Sequence, residues 1–191
     1  MSAEAEKLMK SIAAPCHADG PSPTMRCARG RAAPWRFSRK VLTKKAKYGL
    51  KALVHLAAVE PGRPELVNDI AEAEQIPKKF LDAILADLRN AGFVHSKKGK
   101  GGGYALARSP KEISIGAVVR ALDGPLAPIP CASKTVYRRC DDCTDEKHCP
   151  VRMVMLQVRE AIAGVLDNTT LEEMCELGES GVKALDVEWV L

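Results

Sequence analysis

Four glycines and three lysines occupy the seven consecutive residues 97–103, which read Lys-Lys-Gly-Lys-Gly-Gly-Gly. Strand-forming residues lie on both sides of this run, in segments 93–96 and 104–107. Because glycine adopts positive φ angles and lets another backbone come close, the run predicts the loop of a β-hairpin. Its three lysines indicate that the loop faces an anionic partner. Any fold of this chain must therefore carry a basic hairpin at this point.

Three helices are predicted before the hairpin. The first has an apolar face and ends before Pro61, and the second covers residues 67–74. The third begins at Pro77, which suits a first helical turn, and ends at Gly92, which suits a left-handed C′ position. After the hairpin, Ser114 is predicted to cap a fourth helix. The apolar residues of the third helix follow the i, i+3, i+4, i+7 spacing of a helix with one buried face: Leu81, Ile84, Leu85 and Leu88.

Three helices followed by a two-stranded hairpin form the order of a winged helix-turn-helix domain, here residues 41–125. In such a domain the third helix enters the major groove of DNA, and the hairpin, or wing, reaches phosphates or the minor groove. A nucleotide-binding loop is the rival interpretation of the glycine run, but that loop would end in Gly-Lys-Ser/Thr and open a helix. The candidate DNA-binding residues are Lys44, Lys78, Lys79, Lys97, Lys98, Lys100, Gly101, Gly102, Gly103 and Tyr104.

Charge is divided unevenly along the chain. Residues 1–40 carry a net charge of +5, residues 41–111 carry +6 and residues 112–191 carry −6. This asymmetry indicates a module that binds a polyanion, followed by a module that does not contact the polyanion. Residues 1–40 are also rich in proline and glycine and are predicted to be a disordered basic extension. Three interpretations of the extension stay open: an arm that contacts DNA phosphates, a solvated tail, or residues upstream of a native start near Val41.

Four of the seven cysteines lie within 19 residues: Cys131, Cys140, Cys143 and Cys149. The number of cysteines is odd and no export signal is visible, so a cytoplasmic, reducing environment is expected. Clustered thiols in such an environment are metal ligands or redox groups more often than structural disulfides. The residue types leave an iron–sulfur cluster and a zinc ion open, the latter on a Cys140-x-x-Cys143 knuckle completed by two further cysteines.

The segment 126–149 that holds these cysteines has no clear periodicity and is predicted to be a loop. A long helix is predicted over residues 150–175, followed by a tail over 176–191. The apolar stripe of this helix is too extensive for a lone exposed helix, so we expect it to pack on the domain or to pair with a second copy. No stretch of the chain approaches the roughly 18 to 20 apolar residues of a membrane span.

Several segments of the chain are familiar in combination. They are residues 42–50 in the first helix, residues 80–92 in the third, the wing sequence Gly-Lys-Gly-Gly-Gly-Tyr-Ala-Leu-Ala at 99–107, and residues 113–125. Together they resemble the Rrf2 family of bacterial winged helix-turn-helix transcriptional regulators, which includes the IscR, NsrR, RirA and CymR types. The resemblance runs in unbroken order over residues 42–175.

The resemblance implies a homodimer that pairs through the long C-terminal helix and binds pseudo-palindromic, double-stranded operator DNA. It also implies an iron–sulfur cluster, 2Fe-2S or 4Fe-4S, that reports iron supply, oxidants or nitric oxide, although some members have no cluster. Family members usually have three cysteine ligands, with five residues between each ligand and the next. Cys143 and Cys149 keep this gap, whereas either Cys131 or Cys140 could be the first ligand.

The fourth ligand departs from the family pattern as well. In the family it is a carboxylate from the first helix of the partner subunit or a histidine three residues after the last cysteine. Lys47 and Arg152 occupy these places here, and neither side chain suits a cationic metal centre. All four cysteines could instead serve as ligands, or one iron could stay open to a small molecule.

The sequence therefore predicts a DNA-binding transcriptional regulator that senses iron, redox state or nitric oxide through an iron–sulfur cluster. One alternative is a DNA-binding regulator with a structural zinc or a thiol-redox site. Another is an iron–sulfur electron carrier, which would have no need of a wing or a recognition helix. An enzyme is not expected, because no spacing places Ser/His/Asp or Cys/His groups on one catalytic element.

Overall fold

The structure is a computed structural model, and it describes residues 42–99 and 101–180. Within them it is mostly helical with one two-stranded antiparallel sheet, which confirms the predicted fold class. The proposed extension 1–40, Lys100 and residues 181–191 lie outside the described residues. In chain order the elements are α1 (Lys44–Ala58), α2 (Val67–Ala73), α3 (Lys78–Asn90), β1 (Val94–Lys97), β2 (Gly103–Leu106), α4 (Ile115–Asp123), α5 (Pro150–Asn168) and α6 (Leu171–Ser180), with short 3-10 turns at Pro110–Glu112 and Pro130–Ala132.

Helix α3 packs against α1 and α4 through its apolar stripe. The four residues of the stripe are each at most 1% exposed, as predicted: Leu81, Ile84, Leu85 and Leu88. They share one core with Leu53 of α1 and Val118 of α4. Burial of one such aliphatic side chain contributes about 1.5–3 kcal/mol, so this stripe decides which face of α3 turns inward. The opposite face is left at the surface.

The two ends of α3 have different backbone geometry. Pro77 has a non-helical ψ of 122° and is the N-cap, so the helix begins one residue later than predicted. Gly92 follows the C-cap with a φ of 77°, which confirms the predicted left-handed position. The N–H of Phe93 then donates to the carbonyl of Leu88 at 3.0 Å. This turn directs the chain into β1.

The predicted hairpin is confirmed, and it has an anchor that the local sequence does not predict. Strands β1 and β2 are antiparallel, with Lys97 opposite Gly103. Glu65, just before α2, exchanges two backbone hydrogen bonds with Tyr104, at 2.9 and 2.8 Å. A Cβ atom at Gly103 would collide with the backbone of Glu65, so this close approach requires glycine. The wing is therefore fastened to the connection between α1 and α2.

The start of helix α1 lies next to the end of helix α4. The hydroxyl of Thr43 accepts hydrogen bonds from the N–H groups of Lys45 and Ala46, at 3.1 and 3.3 Å, and so caps α1. The N–H of Thr43 donates to the Asp123 carboxylate at 2.8 Å, and its hydroxyl donates to the same carboxylate. Ser114 caps α4 as predicted. A single aspartate thus fixes the first helix of the domain to the last.

The chain beyond α5 returns to the domain as a helix rather than a tail. The predicted helix over 150–175 ends at Asn168, and residues 176–180 belong to α6. Leu171 of α6 is fully buried in the domain core. The start of α6 is a capping box, in which the Glu173 N–H donates to the Thr170 hydroxyl at 3.2 Å and the Thr170 N–H donates to the Glu173 carboxylate at 2.7 Å.

An arginine–carboxylate pair joins α4 to the end of α5. The guanidinium of Arg120 donates to both carboxylate oxygens of Asp167, at 2.5 and 2.8 Å. Gly116 leaves room for this approach, because a Cβ there would collide with the Asp167 carboxylate. The hydrogen bonds from Arg120 hold the pKa of Asp167 below its ordinary value. The two helices are therefore tied by an interaction that depends on an ionised carboxylate.

We expect Asp167→Asn to lower the free energy of unfolding by about 0.5–1 kcal/mol at pH 7, since the pair is partly screened by solvent. A carboxylate with a depressed pKa stabilises the fold above its unfolded pKa of about 3.9, and this stabilisation is lost as the pH falls through the folded pKa. Thermal denaturation of both proteins should show a constant difference above about pH 5 that narrows below about pH 4. A difference that does not change across this range would contradict the assignment.

Candidate functional site

The exposed end of α3 is basic. Lys78 and Lys79 form its first turn, both are exposed, and no acidic residue lies in that turn. Pro77, the N-cap, supplies no side-chain hydrogen bond to the first N–H groups. The N-terminal end of a helix carries a partial positive charge and binds anions readily. The two lysines predicted to contact DNA thus stand where a phosphate group would be stabilised.

Helix α1 adds positive charge near the same helix. Lys44, its first residue, is exposed. The ammonium of Lys45 contacts the Asp87 carboxylate of α3 at 2.7 Å. This ion pair offsets an acidic residue of α3 that would otherwise repel a phosphate backbone. Lys44 therefore remains a candidate DNA contact.

The wing presents its lysines outward. Lys97 and Lys98 are both exposed, and Lys100 lies outside the residues that the structure describes. Gly99 and Gly101 have φ angles of 101° and 76°, values that favour glycine. These two glycines allow the loop to turn tightly while its lysine side chains stay free to reach a polyanion.

The remaining predicted wing residues are turned toward the protein. The N–H of Gly102 donates to the Gly99 carbonyl at 2.9 Å, Gly102 is buried, and a Cβ there would collide with the Lys97 carbonyl. Gly103 and Tyr104 lie against the backbone of Glu65, and the Tyr104 ring packs on the core. These residues shape the wing, and a direct contact of Gly101, Gly102, Gly103 or Tyr104 with DNA stays a prediction.

One surface residue of α3 was not singled out by sequence reasoning. The chain has only three phenylalanines, and the side chain of one of them, Phe80, is 57% exposed. It directly precedes the buried Leu81 and lies outside the apolar stripe. The helical spacing of the buried residues places Phe80 outside the buried face, so its exposure could have been predicted from the sequence.

The four clustered cysteines lie between the winged domain and α5. Cys131 is in the 3-10 turn Pro130–Ala132 and is 5% exposed. Cys140 and Cys143 are half-buried in the loop, and Cys149 is the N-cap of α5. The fold therefore places one thiol at the domain, one at the start of the long helix and two between them.

The effects of the thiols on one another's pKa group these cysteines into two pairs, Cys131 with Cys140 and Cys143 with Cys149. A hydrogen bond with the Cys131 thiol is the main cause that raises the pKa of Cys140, and Asp142 and Cys149 add negative charge. Partial burial raises the pKa of Cys143, and the charge and hydrogen bond of Cys149 raise it further. The pairs also act on each other, because Cys140 contributes to the Cys143 shift. Ionising several of these thiols together requires a cation to offset their repulsion.

Polar contacts hold the cysteine loop against α5. The Arg152 guanidinium donates from Nε to the Cys131 carbonyl at 3.0 Å and lies 3.6 Å from the Glu146 carboxylate. The Tyr137 hydroxyl donates to the same carboxylate. Arg139 donates to the Cys143 carbonyl at 2.9 Å. Arg152 thus links the first cysteine of the loop to the first turn of α5.

The family's two places for a fourth ligand hold no ligand side chain here. Lys47 is exposed on α1, and Arg152 is engaged with the Cys131 carbonyl. Within residues 42–99 and 101–180, no three His, Cys, Asp or Glu side chains are already arranged around a single metal ion. The donor set that the loop offers is therefore four thiols in two pairs.

Helix α5 carries an apolar face that the rest of the described chain leaves exposed. The helix contacts α4 and the Pro130–Ala132 turn. Valines on its surface are 38–67% exposed: Val151, Val154, Val158 and Val165. The predicted packing on the domain accounts for only part of the stripe. None of the described helices is long and apolar enough to cross a membrane.

The chain is similar to a known protein family and to solved structures. The profile of the Rrf2 family, described as iron-dependent transcriptional regulator, matches residues 42–177. An Rrf2-like HTH-type transcriptional regulator of Rhodobacter capsulatus is 42% identical over 149 residues, which cover 76% of this chain and 99% of that protein.

Two solved structures share the fold. CymR, the global cysteine regulator of Bacillus subtilis, is 31% identical with a TM-score of 0.58, over 71% of this chain and 95% of that one. IscR of T. potens is 28% identical with a TM-score of 0.57, over 78% of this chain and 93% of that one.

The thiol pairing predicts which disulfides form when the metal-free protein is oxidised. Treatment with diamide, followed by peptide mass spectrometry without reduction, should yield mainly Cys131–Cys140 and Cys143–Cys149 links. Cys175 should stay reduced, because it lies on α6, apart from the loop cysteines. A dominant Cys140–Cys143 link would show that the two pairs are not the arrangement in solution.

Proposed function

The chain belongs to the Rrf2 family of transcriptional regulators, and we propose that it binds operator DNA and responds to iron or redox state through an iron–sulfur cluster on its cysteine loop. The observation that carries the proposal is the grouping of four thiols between the DNA-binding domain and α5. The family relationship accounts for transcriptional regulation. The cluster and the dimer are proposals that the family resemblance implies, and the cysteine loop and the exposed valines of α5 support them.

The proposed DNA surface combines the start of α3 with the wing. The exposed face of α3 fits the major groove, and its first-turn lysines reach phosphates beside it. Lys97 and Lys98 reach the backbone from the wing, and Lys44 adds a contact from α1. Helix α6 carries four glutamates and no basic residue, and this negative charge would be repelled from DNA.

A homodimer through α5 follows from its exposed valines. A helix with such a face gains stability by pairing with an equivalent face, and two-fold symmetry makes the same patch complementary to itself. Two copies would present two α3 helices to successive turns of DNA, roughly 34 Å apart. The operator expected for such a dimer is pseudo-palindromic. We place the protein in the cytoplasm, together with the DNA.

Four cysteines in one connection supply the type and number of ligands that an iron–sulfur cluster takes. A 2Fe-2S cluster takes two cysteines on each iron, and a 4Fe-4S cluster takes one on each. Either group supplies iron that reacts with oxidants or nitric oxide when bound. Asp142 places negative charge near Cys140, which lowers the reduction potential of a cluster held there.

The chain's own residues connect this loop to α5. Arg152 reaches from α5 to the Cys131 carbonyl, and Cys149 is the N-cap of the same helix. Drawing the four thiols together, or releasing them, changes the length and direction of the connection between the domain and α5. In a dimer paired along α5, this change alters the relative placement of the two α3 helices.

A second candidate function is a regulator whose thiols respond directly or hold zinc. The likeness to CymR of Staphylococcus aureus, whose structure has been solved in an oxidized form, and the effect of Cys131 on the pKa of Cys140 favour its thiol form. This form predicts DNA binding that changes on oxidation without any bound iron. The zinc form predicts DNA binding that is insensitive to oxidants and to iron chelation.

Metal analysis separates these functions. After anaerobic purification we expect iron and sulfide in the protein, and Cys143→Ala or Cys149→Ala should reduce bound iron by about tenfold or more. Cys175→Ala should keep the iron, because Cys175 lies on α6 outside the loop. Operator affinity should change in the two loop variants and not in the control. Protein that contains zinc but neither iron nor sulfide would contradict the cluster.

Salt dependence tests the DNA surface. Each lost phosphate contact reduces the slope of log affinity against log salt by about 0.9, so Lys79→Ala should reduce it by about 2 in a dimer. Lys111→Ala is the matched control, because Lys111 is an exposed lysine on the Pro110–Glu112 turn, 3.5 Å from Glu172 of α6. Equal slopes for wild type and Lys79→Ala would remove Lys79 from the interface.

A further inference from the structure

We propose that Phe80 reads the methyl group of thymine in the major groove and thereby contributes to operator specificity. The inference rests on the proposed DNA-binding function and adds a residue that determines base preference. Only the side chains that α3 presents outward can touch base edges.

The outward face of α3 presents polar and apolar side chains in its first two turns. The polar ones are Lys78, Lys79 and Asp82, and the apolar ones are Phe80 and Ala83, which lie three residues apart on neighbouring positions of the helix surface; all five are exposed. Ala86, one turn beyond, is half-exposed. Phenylalanine and alanine side chains carry neither donor nor acceptor, so they cannot read the polar edges of bases.

The thymine methyl is the base feature that such side chains can recognise. In the major groove only the thymine of an unmodified A·T pair presents a methyl group, and apolar contacts by alanine or phenylalanine are a known way to read it. Phe80 is 57% exposed beside Lys79, whose ammonium can bind the flanking phosphate. The small side chain of Ala83 lets the DNA approach closely enough for the ring to reach a base.

The alternative roles of Phe80 have less support. The ring does not belong to the apolar core, whose α3 members are Leu81, Ile84, Leu85 and Leu88. It is also on a different element from the exposed valines of α5, so the proposed dimer contact does not require it. A lone exposed apolar residue is common on protein surfaces. The position of this residue, between a basic helix end and a face of small side chains, is what indicates DNA.

The test removes one methyl group at a time. A duplex is first enriched from a random-sequence pool with the anaerobically purified full chain, and each thymine of the enriched duplex is then replaced by deoxyuridine. For the wild type we expect one position in each half-site where this replacement weakens binding about fourfold, the effect of losing one buried methyl. The same replacement should have no effect on Phe80→Ala and a reduced effect on Phe80→Leu.

Leu177→Ala is the matched control, because Leu177 is 42% exposed on α6 and should leave the deoxyuridine pattern unchanged. Thermal denaturation establishes that each variant folds. Specific binding by the wild type that ignores every deoxyuridine replacement, or a pattern that persists in Phe80→Ala, would overturn the role of Phe80 alone. Failure to enrich any duplex above non-specific DNA would overturn the proposed function itself, and the inference with it.

Discussion

Burial of one side of α3 is the constraint on which the rest of the molecule depends. The four aliphatic residues of its stripe occupy the space between α1 and α4, and their removal from water contributes several kcal/mol in total. Because these residues must face inward, the opposite face must look outward with its basic N-terminal end. The wing follows α3 after a single turn at Gly92, so its direction depends on the same packing. DNA recognition by this chain therefore derives from hydrophobic burial rather than from the charged residues themselves.

Close approaches between distant segments complete this arrangement. Thr43 and Asp123 join the two ends of the winged domain, and Gly103 lets the wing lie against the backbone of Glu65. Arg120 and Asp167 join the domain to the far end of α5. Each of these contacts links residues far apart in the chain, so together they resist independent motion of the wing, the domain and the long helix. The cysteine loop is the long connection left between α4 and the start of α5.

Periodicity and turn chemistry predicted what depends on local sequence. The stripe of α3, the left-handed Gly92 and the hairpin could all be read directly, because each is determined within a few residues. Helix α6 was missed although its capping box, Thr170 with Glu173, is visible in the sequence. The continuous apolar pattern of α5 obscured the break at residues 169–170. The burial of Cys131 in the Pro130–Ala132 turn and the contact of its carbonyl with Arg152 could not be read from the sequence, because they depend on how an aperiodic loop folds back on α5.

The anchor between Arg120 and Asp167 limits how the thiols could act on DNA binding under the proposed function. It fixes the far end of α5 to α4, whereas the near end is held by Cys149 and by the contact of Arg152 with the Cys131 carbonyl. A change in the spacing of the thiols would therefore displace only the near end, so that α5 rotates about its anchored end instead of sliding along its axis. Two subunits paired along α5 would convert that rotation into a change in the angle between their α3 helices. Since half-sites on DNA have a fixed spacing and phase, a change of angle is sufficient to alter operator affinity without any change in the residues that contact the bases.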